Sequence, residues 1–194
     1  MQAATTIQRA AAAESPRPEP TPTILLKDRE GHYRVFRLDD ARVKAEAFKT
    51  LLPIYSLRAA AGYFGAGTAV EPEGWIDASS IGRLDDKMFV ARVVGRSMEP
   101  TIRDGDLCVF RANPPGSRQG KVVLVQYRGP SDPETGGAFT VKRYRSRKLV
   151  QEDGTWQHEQ ITLEPLNNEF ESIVLTTKEE GDVVLAAEFI RTLR

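Results

Sequence analysis

The sequence predicts a mostly β domain carrying a small hairpin-plus-helix appendage on its N-terminal side. Three observations carry that prediction. Beyond Pro53 the apolar residues fall in short runs separated by glycine, proline and aspartate clusters, the pattern of strands joined by turns. Between Ile24 and Leu52 the strand-like and helix-like stretches are too brief to form a domain of their own. A length of 194 residues accommodates one ordinary domain plus a tail or appendage, not three domains.

The elements follow in order. Residues 1–22 are rich in alanine, proline and threonine and cannot offset the entropy of ordering them, so they read as a disordered leader. Ile24-Leu25-Leu26 is strand-like, residues 28–31 are turn material, and Tyr33, Val35 and Phe36 resume the strand, which predicts a hairpin. Asp39 or Asp40 caps a predicted helix reaching about Leu52, with Val43, Ala47 and Leu51 at i, i+4 and i+8, and Pro53 ends it. This appendage, residues 23–52, is too short for a helix-turn-helix. The remainder, residues 53–194, has predicted strands at 88–94, 106–111, 121–127, 139–145, 160–165, 172–175 and 182–192, with a hairpin loop at 128–137.

Charge and composition exclude several functions. Lysine plus arginine and aspartate plus glutamate are each 27, so the net charge is zero. Residues 1–52 hold nine basic and seven acidic groups, leaving eighteen and twenty for the rest. Neither part has the positive excess that phosphate-backbone binding needs, so direct sequence-specific DNA binding is not expected. One cysteine, Cys108, excludes a disulfide framework, and with only His32 and His158 no metal site or other cofactor is expected. No run of about eighteen apolar residues would cross a membrane, and the N-terminus does not read as a secretory signal. A cytoplasmic protein without membrane contact is the simplest expectation.

The chemistry concentrates in Gly95-Arg96-Ser97-Met98-Glu99-Pro100-Thr101, followed by Asp104-Gly105-Asp106. A strand ends at Val94 and Pro100 blocks a simple continuation, so Ser97 falls on a sharp turn that can present its hydroxyl. Asp-Gly-Asp makes a second turn, with Gly105 free to take positive φ. A serine nucleophile needs a base. His158 lies in a polar run and His32 in the appendage hairpin, which leaves lysine, as in Ser-Lys catalysts. Lys142 alternates with Val141 and Arg143 in a predicted strand. A lysine works as a base only when deprotonated, and burial can lower its pKa by roughly three to five units. Arg143 cannot serve, because guanidinium stays charged. The competing reading is a solvated lysine in the basic run 142–148, an exposed edge that discourages strand pairing. Cys108 and Met98 read as packing residues, and Trp75 as a packing anchor.

GRSMEPTIRDGD, followed by KVVLVQY, FTVKRY, ITLEPLNNEFESIVL and VLAAEFIRT, resembles the S24 peptidase family. Its members include the LexA repressor, related phage repressors and the UmuD subunit of a translesion polymerase. The resemblance runs from about Pro53 to the C-terminus. It implies a LexA/signal-peptidase-like β domain that forms homodimers, with Ser97 as nucleophile and Lys142 as general base. Such enzymes cut mainly themselves, at a small residue followed by glycine. Ala61–Gly62 is the preferred bond, since Gly62 precedes Ser97 by 35 positions, near the family's spacing; Ala66–Gly67 is the rival. Both fall in an expected cleavage loop at about 57–72, and the backbone amides of Arg96 and Ser97 are the expected oxyanion donors.

The resemblance further implies a stress or DNA-damage (SOS) switch, activated by a recombinase–single-stranded-DNA filament that favours a cleavage-competent loop. The helix-turn-helix of LexA-type repressors is not seen, so the chain reads as the switch without its usual output, and a DNA role would need a DNA-processing partner. Two alternatives stay open: a catalytically silent interaction domain of a DNA-processing or defence system, and a signal-peptidase-like enzyme, which would need a membrane anchor.

Overall fold

The computed structural model describes residues 24–27, 32–66, 70–127, 139–150, 156–176 and 183–193. The predicted leader at 1–22 and the loop at 128–137 lie outside them. Among the described residues, eleven strands join one mixed sheet and helices are few, so the protein is mostly β. In chain order these are β1 (Ile24–Lys27), β2 (His32–Phe36), helix α1 (Ala41–Glu46), β3 (Leu51–Tyr55), helix α2 (Leu57–Ala66) and β4 (Gly74–Asp77). After them come β5 (Met88–Arg92), β6 (Leu107–Ala112), β7 (Val122–Tyr127), β8 (Phe139–Val150), β9 (Trp156–Glu164), β10 (Ile173–Thr176) and β11 (Val183–Thr192).

The spatial order is β1-β2-β4-β3-β5-β6-β11-β7-β8-β9-β10. All pairings are antiparallel except β3 with β5. The expected boundary at 52/53 falls inside β3, and the N-terminal hairpin continues the sheet through β4. Gly74 makes that junction possible: a Cβ there would meet Val35 Cγ1 at 2.5 Å. One core cluster binds the two parts, joining Val35, Leu52 and Ile54 to Ile76, Val90, Leu107 and Val109.

The helix expected to reach Leu52 is shorter. Asp40 is its N-cap, accepting from Arg42 N at 2.9 Å, but the helix ends at Glu46 and Phe48 takes φ +59°. The reason is burial. Leu51–Tyr55 is buried at every position, which suits a strand covered on both faces and not an amphipathic helix. Pro53 sits inside that strand, where it gives no N–H, and pairing to β5 begins only at Ile54.

The stretch expected as a cleavage loop is also different. Residues 57–66 form α2, whose first turn is capped by Ser56: its Oγ accepts from Ala59 N at 3.1 Å. Leu57, Ala60, Ala61 and Phe64 repeat at i, i+3, i+4 and i+7 and face the core. Phe64 stacks on Phe89 with ring centroids 4.5 Å apart. Cys108 and Met98 are buried in the same cluster, as packing residues should be, and Trp75 packs edge-on against Phe48. Among the described residues no helix is long and apolar enough to cross a membrane.

Candidate active site

Ser97 lies in the turn between β5 and β6, and two carboxylates shape that turn. Asp104 Oδ1 accepts from Gly95 N at 2.8 Å, and Asp106 Oδ2 accepts from Arg103 N at 2.9 Å. Gly95 and Gly105 take φ +102° and +88°, a region that side chains rarely adopt. Arg92 Nη1 donates to the Gly105 carbonyl at 2.8 Å, Gly105 N donates to the Val93 carbonyl at 2.8 Å and Val93 N to the Asp106 carbonyl at 2.9 Å. Met98 and Ile102 are buried beneath it. These bonds brace the turn that carries the Ser97 hydroxyl.

Lys142 is the fourth residue of β8, paired to Val123 of β7. Its Nζ lies 2.8 Å from Ser97 Oγ and 2.8 Å from Thr140 Oγ1. All three side chains are buried: Ser97 is 5% exposed, Lys142 4% and Thr140 3%. This rules out a solvated lysine on an exposed edge. Thr140 and Lys142 are two apart on one strand and therefore share a face. The sequence reading missed Thr140, although strand alternation alone places its hydroxyl beside the amine.

A second tie was also missed. The carbonyl of Ser97 accepts from the N–H groups of Leu166 and Asn167, both at 2.9 Å, and Asn167 Nδ2 donates to the Arg96 carbonyl at 3.2 Å. Those residues follow β9, the neighbour of β8. Glu164, at the end of β9, accepts from Arg143 Nε at 2.8 Å and Arg145 Nε at 2.9 Å. Burial pushes its carboxyl up, but the hydrogen bonds and charges of Arg145 and Arg143 outweigh this and leave it below the usual carboxylate range.

The candidate bond is helical in this arrangement. Ala61 and Gly62 sit within α2, with Ala61 buried, while of the rival pair Ala66 ends the helix and Gly67 lies outside the described residues. Ala60 and Ala61 belong to the core cluster that holds Leu124 and Val141. Adjacent strand residues point to opposite faces, so Lys142 leaves β8 on the side away from Val141.

A search of curated proteins finds no match. A sequence model of the family described as peptidase S24-like matches residues 53–186, a span that contains the Ser97 turn, the β8 lysine and the segment tying them. With well over half of the chain matched and the expected β architecture around it, this chain belongs to the peptidase S24-like family.

Proposed function

We propose that the chain is a serine peptidase that cuts its own backbone between Ala61 and Gly62, with Ser97 as nucleophile and Lys142 as general base. The observation that carries this reading is the 2.8 Å contact between two buried side chains, an amine and a hydroxyl. Burial disfavours the charged ammonium, and a neutral amine is what a base requires. Lys142 takes the Ser97 proton as Oγ attacks the Ala61 carbonyl carbon, and the backbone N–H groups of Arg96 and Ser97 receive the oxyanion. The Ala61–Gly62 bond breaks, and Lys142 returns the proton to the leaving Gly62 amine. Water then attacks the ester, giving a proton to Lys142, which passes it to Ser97 Oγ as the ester bond breaks and the Ala61 carboxyl leaves.

The α2 helix makes this a gated reaction. A peptide bond inside a helix is hydrogen-bonded and curled, so residues around Ala61 must unwind and cross to the dyad before attack. A DNA-damage or stress signal delivered by a recombinase–single-stranded-DNA filament is the proposed activator, and a homodimer the proposed assembly. One observation favours the competing reading, a catalytically silent interaction domain: Ala61 is buried in an intact helix.

Intact-mass measurement after incubation at mildly alkaline pH, with and without the filament, separates the two. Self-cleavage gives two fragments divided after Ala61, absent in Ser97→Ala and in Lys142→Ala. A wild-type chain left whole under both conditions refutes the peptidase reading.

A further inference from the structure

Ser97 belongs to a turn, so no strand ladder fixes its main chain. Beyond the turn's own bonds, the segment after β9 holds its carbonyls. The Ser97 carbonyl accepts two N–H groups, from Leu166 and Asn167, and the Arg96 carbonyl accepts from Glu99 N at 3.1 Å and Asn167 Nδ2 at 3.2 Å. Asn167 therefore holds two successive carbonyls of the nucleophile turn, one with its backbone and one with its side chain.

That arrangement reaches the N–H groups as well. A trans peptide unit is planar, with its C=O and the following N–H on opposite sides. Fixing the Arg96 carbonyl fixes where the Ser97 N–H points, and fixing the Ser97 carbonyl does the same for Met98 N–H. The Asn167 side chain is itself oriented, since Oδ1 accepts from Glu169 N at 3.0 Å, and Glu169 lies 3.6 Å from the Arg96 guanidinium. The chain that supplies the clamp is the continuation of β9, whose Glu164 pairs in register with Arg143, next to Lys142. One strand pair thus carries the base and anchors the nucleophile.

We propose that Asn167 is a positioning residue that aims the Ser97 amide at the oxyanion and holds Ser97 at its distance from Lys142. This rests on the serine-peptidase reading of Ser97. Asn167→Asp is the sharpest variant: it keeps the size and the Oδ1 acceptor for Glu169 N, but sets an oxygen where Nδ2 donated to the Arg96 carbonyl. The probe is a small fluorophosphonate, applied to the full chain. Ser97 Oγ bonds to phosphorus, fluoride leaves, the serine proton passes to Lys142, and the phosphoryl oxygen takes the oxyanion position.

Labelling followed by mass at several probe concentrations separates probe affinity from the maximal rate. The maximal rate in Asn167→Asp falls about tenfold, less than the loss of a direct oxyanion donor would cause, with affinity unchanged. A merely structural role instead lowers the labelled fraction and the melting temperature, leaving the rate of the folded molecules alone. Asn167→Ala removes the donor without adding charge and gives the same split if Asn167→Asp fails to fold. Maximal rates equal to wild type overturn the positioning role alone. A wild-type chain that labels no better than Ser97→Ala overturns the peptidase reading and this inference with it.

Discussion

Lys142 Nζ lies 2.8 Å from Ser97 Oγ across 45 residues of chain, and the two side chains arrive from unlike supports. The lysine stands within a paired strand, whereas the serine rides a turn braced by two aspartates and by the segment after β9. A strand fixes a side chain to one face at one height. A turn needs outside ties to do the same, and here most of those ties are main-chain hydrogen bonds.

The base must be an amine that can lose its proton. Lys142→Arg therefore leaves self-cleavage as low as Lys142→Ala, on the order of 10³-fold or more below wild type, because guanidinium cannot deprotonate. In the wild type the first-order rate rises with pH as the lysine deprotonates, then levels off. Fragment formation by mass across a pH series checks both, and an active Lys142→Arg would remove lysine from the mechanism.

Thr140→Val keeps the shape at a buried position and removes the hydroxyl that lies 2.8 Å from Lys142 Nζ. The amine loses an orienting partner, so the plateau rate falls about tenfold. The sign of the pH effect follows separately. An acceptor hydrogen bond favours the charged donor, so its loss lowers the lysine pKa and moves the midpoint of the profile to lower pH. A midpoint moving upward would contradict the assigned hydrogen bond.

If docking of α2 is the gate, loosening it speeds the reaction. Phe64 stacks on Phe89 and meets Tyr55 edge-on, with centroids 5.9 Å apart, and anchors the C-terminal half of the helix. Phe64→Ala, at a partly exposed site, costs about 1–3 kcal/mol of that docking. Self-cleavage without activator then accelerates by roughly tenfold or more, since about 1.4 kcal/mol corresponds to tenfold. A slower or unchanged rate, measured alongside the melting temperature, would show that the bond is not held back by this packing.

Cleavage after Ala61 does not free the N-terminal piece. That piece carries β1, β2, α1 and β3, while β4 of the other piece lies between β2 and β3, and β3 also pairs with β5. Tyr33 Oη adds a bond to the Leu193 carbonyl at 3.0 Å, and the buried cluster around Leu52 and Ile76 takes residues from both sides. The nicked protein therefore elutes as one species at the size of the uncut chain and separates only in denaturant. A protease recognition sequence inserted after Ala66 and cut by its protease gives the same result, whether or not self-cleavage occurs. Fragments that part in native buffer would disprove it.

Legibility differed from element to element. The strands from Met88 onward were readable because short apolar runs between turn residues have few other interpretations. β3 was misread as the end of a helix: Val43, Ala47 and Leu51 keep helical spacing by sequence, but Leu51 serves the sheet. Helix α2 left a signal that went unused, Ser56 as cap followed by apolar residues at i, i+3, i+4 and i+7.

By itself, the sequence determined a mostly β protein, a serine on a constrained turn and a lysine on an alternating strand, because these depend on residue type and local period. Only the tertiary structure decided that Lys142, with Thr140 at its amine, is buried beside Ser97, that Asn167 holds the nucleophile turn, and that the helix around Ala61 is docked on the core. Each of these is a contact across many residues of chain. It is fixed by which strands pair and which faces are covered, and no local pattern encodes that.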